Sequence, residues 1–258
     1  MLNTLEDILV ILACVSGSLL CIWLLQRFWP SSQRRTHNDI IGWQVSVLGT
    51  TYAVIIGFML YAVWTSFQSA EMNANDEANC LVNVFRLADG LPAMQRVAVH
   101  QLVREYANIV IDEEWPAMSK REWILSGHET IEKLWAVTMR VKPETFAEQS
   151  SMNLILSELS SMTQHRRVRE LESHSNLPTI LWMVMIFGGA VTTLSSCLFG
   201  SENLKLHVVQ VTALTLVLSF ILVAIADIDR PFQGTVHVLP QGFERARATF
   251  AQVPPEAP

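Results

Sequence analysis

Residues 40–70 read IIGWQVSVLGTTYAVIIGFMLYAVWTSFQSA, 31 positions without one Asp, Glu, Lys or Arg. As a helix this run measures ~46 Å, against a hydrocarbon layer of ~30 Å, so it must tilt or continue into water. The residues beyond it favour continuation. Phe67, Ala70, Ala74, Ala78, Leu81, Phe85 and Ala88 recur at steps of three and four, a heptad-like seam through a polar stretch that ends at Gly90-Leu91-Pro92. The pattern predicts one helix that spans a membrane and projects from it.

Three more charge-free runs flank this one: Ile8 to Gln26, Leu177 to Ser201 and Leu206 to Ala226. Each supplies the ~20 residues a spanning helix needs, which predicts four transmembrane helices. The composition agrees, at 50% hydrophobic and 16% charged over 258 residues with mean hydropathy +0.30. The chain opens Met-Leu-Asn-Thr-Leu-Glu-Asp, and the apolar stretch continues through Trp23 to Trp29, which reads as a retained anchor rather than a signal peptide. Trp23, Arg27, Phe28 and Trp29 then form an interfacial belt, and Pro30 with Ser31-Ser32 ends the helix.

Of the 42 charged residues, 27 lie between Glu71 and Glu172, 16 acidic and 11 basic. The chain therefore divides into a first transmembrane hairpin (1–70), a soluble helical insertion (71–176), a second hairpin (177–228) and a short C-terminal tail (229–258). Within the insertion, apolar periodicity predicts three further helices. One runs from about Ala93 to Trp115, stopped by Pro116, with Met94, Val97, Leu102, Tyr106, Ile109 and Val110 on its inner side. A second covers Lys120 to Arg140 through Ile124, Ile131, Leu134, Trp135 and Met139. A third follows Pro143 and buries Phe146, Leu154, Leu159 and Met162. No stretch alternates as a strand does, so the expected class is an all-α membrane protein.

The chemistry is sparse. Net charge −6 and pI 5.6 argue against a nucleic-acid partner. The seven histidines are scattered, no phosphate-binding glycine pattern occurs, and the four cysteines suggest neither a disulfide framework nor a metal site. Neither an enzyme nor a cofactor is expected. Asp112-Glu113-Glu114 cannot all face one site on a helix and reads as a solvated helix end. The long second span carries the most information. Gly42, Ser46, Gly49, Ala53 and Gly57 form a small-residue stripe, suited either to packing within the chain or to close approach of a neighbouring copy. Ser46, Thr50 and Thr51 would offer hydroxyls to an axial pathway, with Val54 and Phe58 as an apolar constriction. At the end of the fourth span, Arg230 is placed to neutralise Asp227 three residues earlier, and Pro231 breaks the helix; the carboxylates there also admit an ion site.

Glu114-Trp115-Pro116-Ala117-Met118, together with Asp229-Arg230-Pro231-Phe232 and Gly234, resembles the bacterial membrane proteins of the bestrophin-like domain family, and the likeness extends from about Leu5 to Phe243. A remoter resemblance links the chain to true bestrophins, which are pentameric anion channels. Ile56-Gly57-Phe58 is similar to the Leu-Gly-Phe of their pore neck, which would make Thr50, Val54 and Phe58 neck positions. Arg230-Pro231-Phe232-Gln233-Gly234 is similar to their Asn-Pro-Phe-Gly turn. Met59-Leu60 stands where bestrophins have Arg-Asn, and Thr50 replaces an apolar neck residue. Gln233 to His237 carries no carboxylates, so no calcium clasp is expected.

The resemblance implies a homo-oligomer, a pentamer in bestrophins, that conducts small anions through a pore lined by the second span. It also implies a cell-membrane location with the insertion and both termini in the cytosol, an orientation that basic-residue counting leaves open. A non-conducting membrane scaffold or signalling protein, whose insertion binds a partner, is the competing class.

Overall fold

The computed structural model describes residues 4–122 and 126–253. It is built of helices, with no strand among the described residues. In chain order they are α1 (Thr4–Phe28), α2 (Ser31–Arg34), α3 (Asn38–Leu87), α4 (Ala93–Ile109), α5 (Trp115–Lys120), α6 (Ser126–Met139), α7 (Phe146–His174), α8 (Thr179–Cys197), α9 (Leu204–Ile228) and α10 (Gln241–Ala251). Among the described residues, four stretches are long and apolar enough to cross a membrane: Leu5–Phe28, Ser31–Gly90, Thr179–Cys197 and Leu204–Ile228. The chain divides into two compact units. The apolar unit holds the residues up to Ser66, Asn176–Asp229 and Gly234–Val236; the polar unit holds Phe67–Ser175, Arg230–Gln233 and the residues from His237 on.

In the apolar unit, α3 buries Tyr52, Ile56 and Val63 against Met185 of α8 and Ile225 of α9. The tyrosine is admitted by two glycines. A Cβ on Gly188 would lie 2.6 Å from the Tyr52 ring, and one on Gly189 would lie 2.9 Å from its hydroxyl, which donates to the Met185 carbonyl at 2.8 Å. A second cluster joins Ile22, Cys197 and Val211 from α1, α8 and α9. Arg34, the last residue of the short helix α2, is fully buried. Its guanidinium donates to the carbonyls of Cys197 (2.8 Å) and Phe199 (3.2 Å) and to the Gln26 side chain (2.9 Å). A cation on the unsatisfied carbonyls at the end of α8 complements the negative end of that helix.

The predicted continuation of the second span is present: α3 runs for 50 residues without a break. All seven seam residues, Phe67, Ala70, Ala74, Ala78, Leu81, Phe85 and Ala88, are buried in the polar unit. The four alanines in that seam permit close helix approach, while Phe85 stacks on His100 of α4 at 4.0 Å and packs on Phe250 of α10 at 4.6 Å. At the start of α7, Thr145 and Glu148 make the reciprocal side-chain bonds that define a capping box.

Several sequence expectations need correction. Pro116 does not stop a helix. A π turn over Val110–Glu114 links α4 to α5, where the proline occupies the first turn, a position that needs no N–H partner. The helix ends instead at Arg121, whose φ of 60° is left-handed. Met94 is 81% exposed because α4 turns Val99, His100, Val103 and Tyr106 inward. On α7, Leu159 and Met162 are buried, but Phe146 and Leu154 are exposed. The buried face continues instead through Arg166 and Arg169, charged residues that a search for apolar periodicity passes over. Met139 of α6 is also exposed, and Ile124 lies outside the described residues. The expected tail contains a helix, α10, that buries Phe243, Ala246 and Phe250.

Candidate functional site

The predicted neck residues occupy one exposed face of α3. Ser46, Thr50, Val54 and Phe58 are exposed in the single chain, on the side of the helix away from Tyr52, Ile56 and Val63. Thr51 is exposed as well, while the Ser46 hydroxyl donates to the Gly42 carbonyl of its own helix at 2.8 Å. The small-residue stripe divides. Gly42 faces Phe199, whose ring would lie 3.5 Å from a Cβ built there, so this part serves packing within the chain. Gly49 and Gly57 have no such neighbour within 4 Å, and Ala53 is exposed.

The span-end residues make a turn. Asp227 accepts the backbone N–H groups of Thr235 (2.8 Å) and Val236 (2.9 Å), and Asp229 accepts that of Leu177 (2.9 Å). The expected use of Asp227 as the partner of Arg230 is thus replaced by a closed loop, which Gly234 permits by adopting φ +83°. In the polar unit, Pro231 accepts from Val238 N–H at 2.7 Å, and Phe232 is buried edge-on to Trp115 at 5.6 Å. Trp115 donates to the Val238 carbonyl at 3.0 Å, and Gln233 reaches the Met118 carbonyl at 3.4 Å. The Glu-Trp-Pro segment and the Pro-Phe segment, distant in sequence, therefore meet in one packed junction.

Beside that junction lies a charge cluster that the sequence reading missed. Glu77 of α3 and Arg169 of α7 are both fully buried. Arg169 donates to the two Glu77 oxygens at 2.6 and 3.0 Å and to Glu114 at 2.9 Å, with its guanidinium 5.6 Å from the centre of the Trp115 ring. Arg166 donates to Glu114 at 2.9 Å, and its other terminal nitrogen forms ion pairs at 2.7 Å with the second Glu114 oxygen and with Glu170. Tyr106 donates its hydroxyl to Glu77 and accepts from Arg166 at 3.1 Å.

Glu114 is therefore not part of a solvated helix end. The π turn aims it inward, while Asp112 faces Arg247 at 3.4 Å and Glu113 accepts from Ser126 at 2.9 Å. Burial alone would raise the Glu114 pKa, but Arg169 and Arg166 outweigh it and hold the carboxyl below its ordinary value. Burial, reinforced by Glu77, pushes the Tyr106 phenol well up, so it remains a hydrogen-bond donor. The cavity next to Glu114, Arg169 and Glu170 measures only ≈ 20 Å³, about the space of one water. Such an arrangement locks helices together and has no room for a substrate. A signal for it existed: Glu77 falls among Ala74, Ala78 and Leu81, an acid inside an otherwise apolar seam.

The family described as Bestrophin-like domain matches residues 12–243. Among solved structures, a bestrophin homologue from Klebsiella pneumoniae shares 12% identity at TM-score 0.69, covering 97% of this chain and 99% of that one. A point variant of the Klebsiella pneumoniae homologue gives TM-score 0.68 at 12% identity, with 96% and 98% covered. A structure described as a membrane protein variant gives TM-score 0.70 at 12% identity, with 95% and 96% covered. No curated protein matches the chain.

Proposed function

We propose that this chain, which belongs to the Bestrophin-like domain family, is a multi-pass membrane protein that assembles with copies of itself around an axis and conducts small anions along it. The observation that carries this reading is the face of α3 bearing Ser46, Thr50, Val54 and Phe58. It is exposed in the single chain while the opposite face packs against α8 and α9. Four spans are too few to enclose a wide pathway, whereas a ring of α3 helices supplies one. Gly49, Ala53 and Gly57 then allow neighbouring helices to approach closely. Hydroxyls of Thr50 and Thr51 would face the permeating ion, and the Val54 and Phe58 side chains would form a constriction that gates by dewetting. The protein is then a conduit rather than a catalyst, seated in the cell membrane with the polar unit and both termini on the cytosolic side.

Full-length protein reconstituted in liposomes should pass chloride, and Phe58→Ala should raise the flux severalfold by widening the apolar constriction. A strictly monomeric mass in a lipid environment, or a flux indifferent to Phe58→Ala, would overturn the reading. A non-conducting scaffold has one observation in its favour: Met72, Phe146 and Leu154 are exposed in the polar unit at 60%, 90% and 51%. That reading requires partner capture through 71–176 in a protein that shows no flux.

A further inference from the structure

A cavity of ≈ 630 Å³ opens in the apolar unit where α8 turns into α9, within the roughly 300–1,000 Å³ of small-ligand sites. Its lining changes character along α9. His207, Gln210, Val211 and Leu214 are three to four residues apart and so share one face, polar near the turn and apolar deeper into a helix long enough to cross a bilayer. Several polar groups of the turn are already engaged. The Asn38 side chain bonds both N–H and carbonyl of Gly200 (3.0 and 2.9 Å), the Asn203 side chain caps α9 through Leu206 N–H at 3.2 Å, and the Ser201 hydroxyl donates to the Asn203 carbonyl at 3.1 Å.

Four further residues facing the cavity keep capacity for a ligand. Gln210 is exposed, and its amide makes no hydrogen bond among the described residues, although it lies ~9 Å along α9 from the first residue of that helix. An amide at that depth is costly against hydrocarbon unless something polar meets it. Arg35 and Glu202 form an ion pair with side chains 47% and 75% exposed, a pair that contributes little and exchanges partners easily. Their charges cancel, so the lining suits a ligand that carries both signs. Buried His207, 4% exposed, has Nε2 3.2 Å from the Ser196 carbonyl. That nitrogen is therefore the donor, and in the neutral ring Nδ1 is left as an acceptor.

We propose that this cavity binds a zwitterionic glycerophospholipid with a primary ammonium headgroup. The phosphate replaces Glu202 on the Arg35 guanidinium, whose planar fork matches phosphate oxygens, and the ammonium takes the Glu202 carboxylate. The Gln210 amide meets the glycerol ester oxygens at the depth where a bilayer holds them, and an acyl chain follows Val211 and Leu214. The site stands independently of conduction.

Native mass spectrometry of the delipidated full-length protein would test it, with phosphatidylethanolamine, phosphatidylglycerol and soluble glycerophosphoethanolamine as probes. Phosphatidylethanolamine should be retained in preference to phosphatidylglycerol, and Arg35→Gln and Gln210→Leu should each weaken that retention about tenfold, the effect of one charge-assisted or buried hydrogen bond. Leu214→Trp, which fills the apolar end and leaves the polar turn intact, should also abolish the preference. Equal retention of both lipids, or retention unchanged in all three variants, would reduce the lipid to an ordinary annulus and overturn the site. Competition by glycerophosphoethanolamine at the same concentration as the lipid would overturn the lipid assignment in favour of a soluble zwitterion.

Discussion

Each unit buries an arginine completely, and the two are neutralised in opposite ways. Arg169 in the polar unit meets two carboxylates and stacks near two aromatic rings, whereas Arg34 in the apolar unit meets backbone carbonyls and one amide oxygen. A charge withdrawn from water must be compensated, and the material at hand decides how. The polar unit has acids to bury. The apolar unit has far fewer, and at Arg34 the negative end of α8 supplies the compensation that a carboxylate does not.

Removing each arginine separates the two modes. Arg169→Leu leaves Glu77 and Glu114 without their shared cation and should destabilise the polar unit by about 3–5 kcal/mol. Denaturant unfolding followed by tryptophan fluorescence would measure this, and adding Glu77→Gln should recover part of the loss. A loss below ~1 kcal/mol would mean that the carboxylates find other partners. Arg34→Met orphans only neutral acceptors and should cost about 1–3 kcal/mol. It should leave the polar unit's own transition unmoved. The smallest effect is that of acid. Because the Glu114 pKa is depressed in the folded chain, its stabilisation is complete above the ordinary value of 4.5 and is lost as the pH falls below that towards the folded value. Stability of the polar unit should decline there by at most about 1.4 kcal/mol per pH unit for this one proton. A Glu114→Gln variant should show a shallower slope. Equal slopes would assign the acid response to other groups.

The same contrast explains what was legible in the sequence. The apolar unit could be read almost directly, because charge-free runs of spanning length admit few alternatives. The seam from Phe67 to Ala88 was equally legible, being small and apolar residues at helical steps. Arg34, Glu77, Arg166 and Arg169 were not, since charged side chains are usually exposed and only pairing in three dimensions reveals that these are buried. Glu114 was hidden by its neighbours Asp112 and Glu113, which do face outward, and by a π turn that offsets the helical register. Phe146 and Leu154 misled in the other direction, as apolar residues outside the buried face of α7. α10 was missed because its three inward residues, Phe243, Ala246 and Phe250, lie amid polar ones in a segment too short to show a repeat.

That last helix has a consequence for how the protein is made. Phe243 packs against Tyr106 and Trp115, and Phe250 against Phe85, so the core of the polar unit includes residues that leave the ribosome after α8 and α9. Until then its first helices wait with aromatic surface uncovered. Both α8 and α9 are synthesised before the unit that largely precedes them in the chain can close, so the polar unit completes its core only after they have emerged. A chain truncated before Gln241 should for the same reason be held by chaperones or degraded.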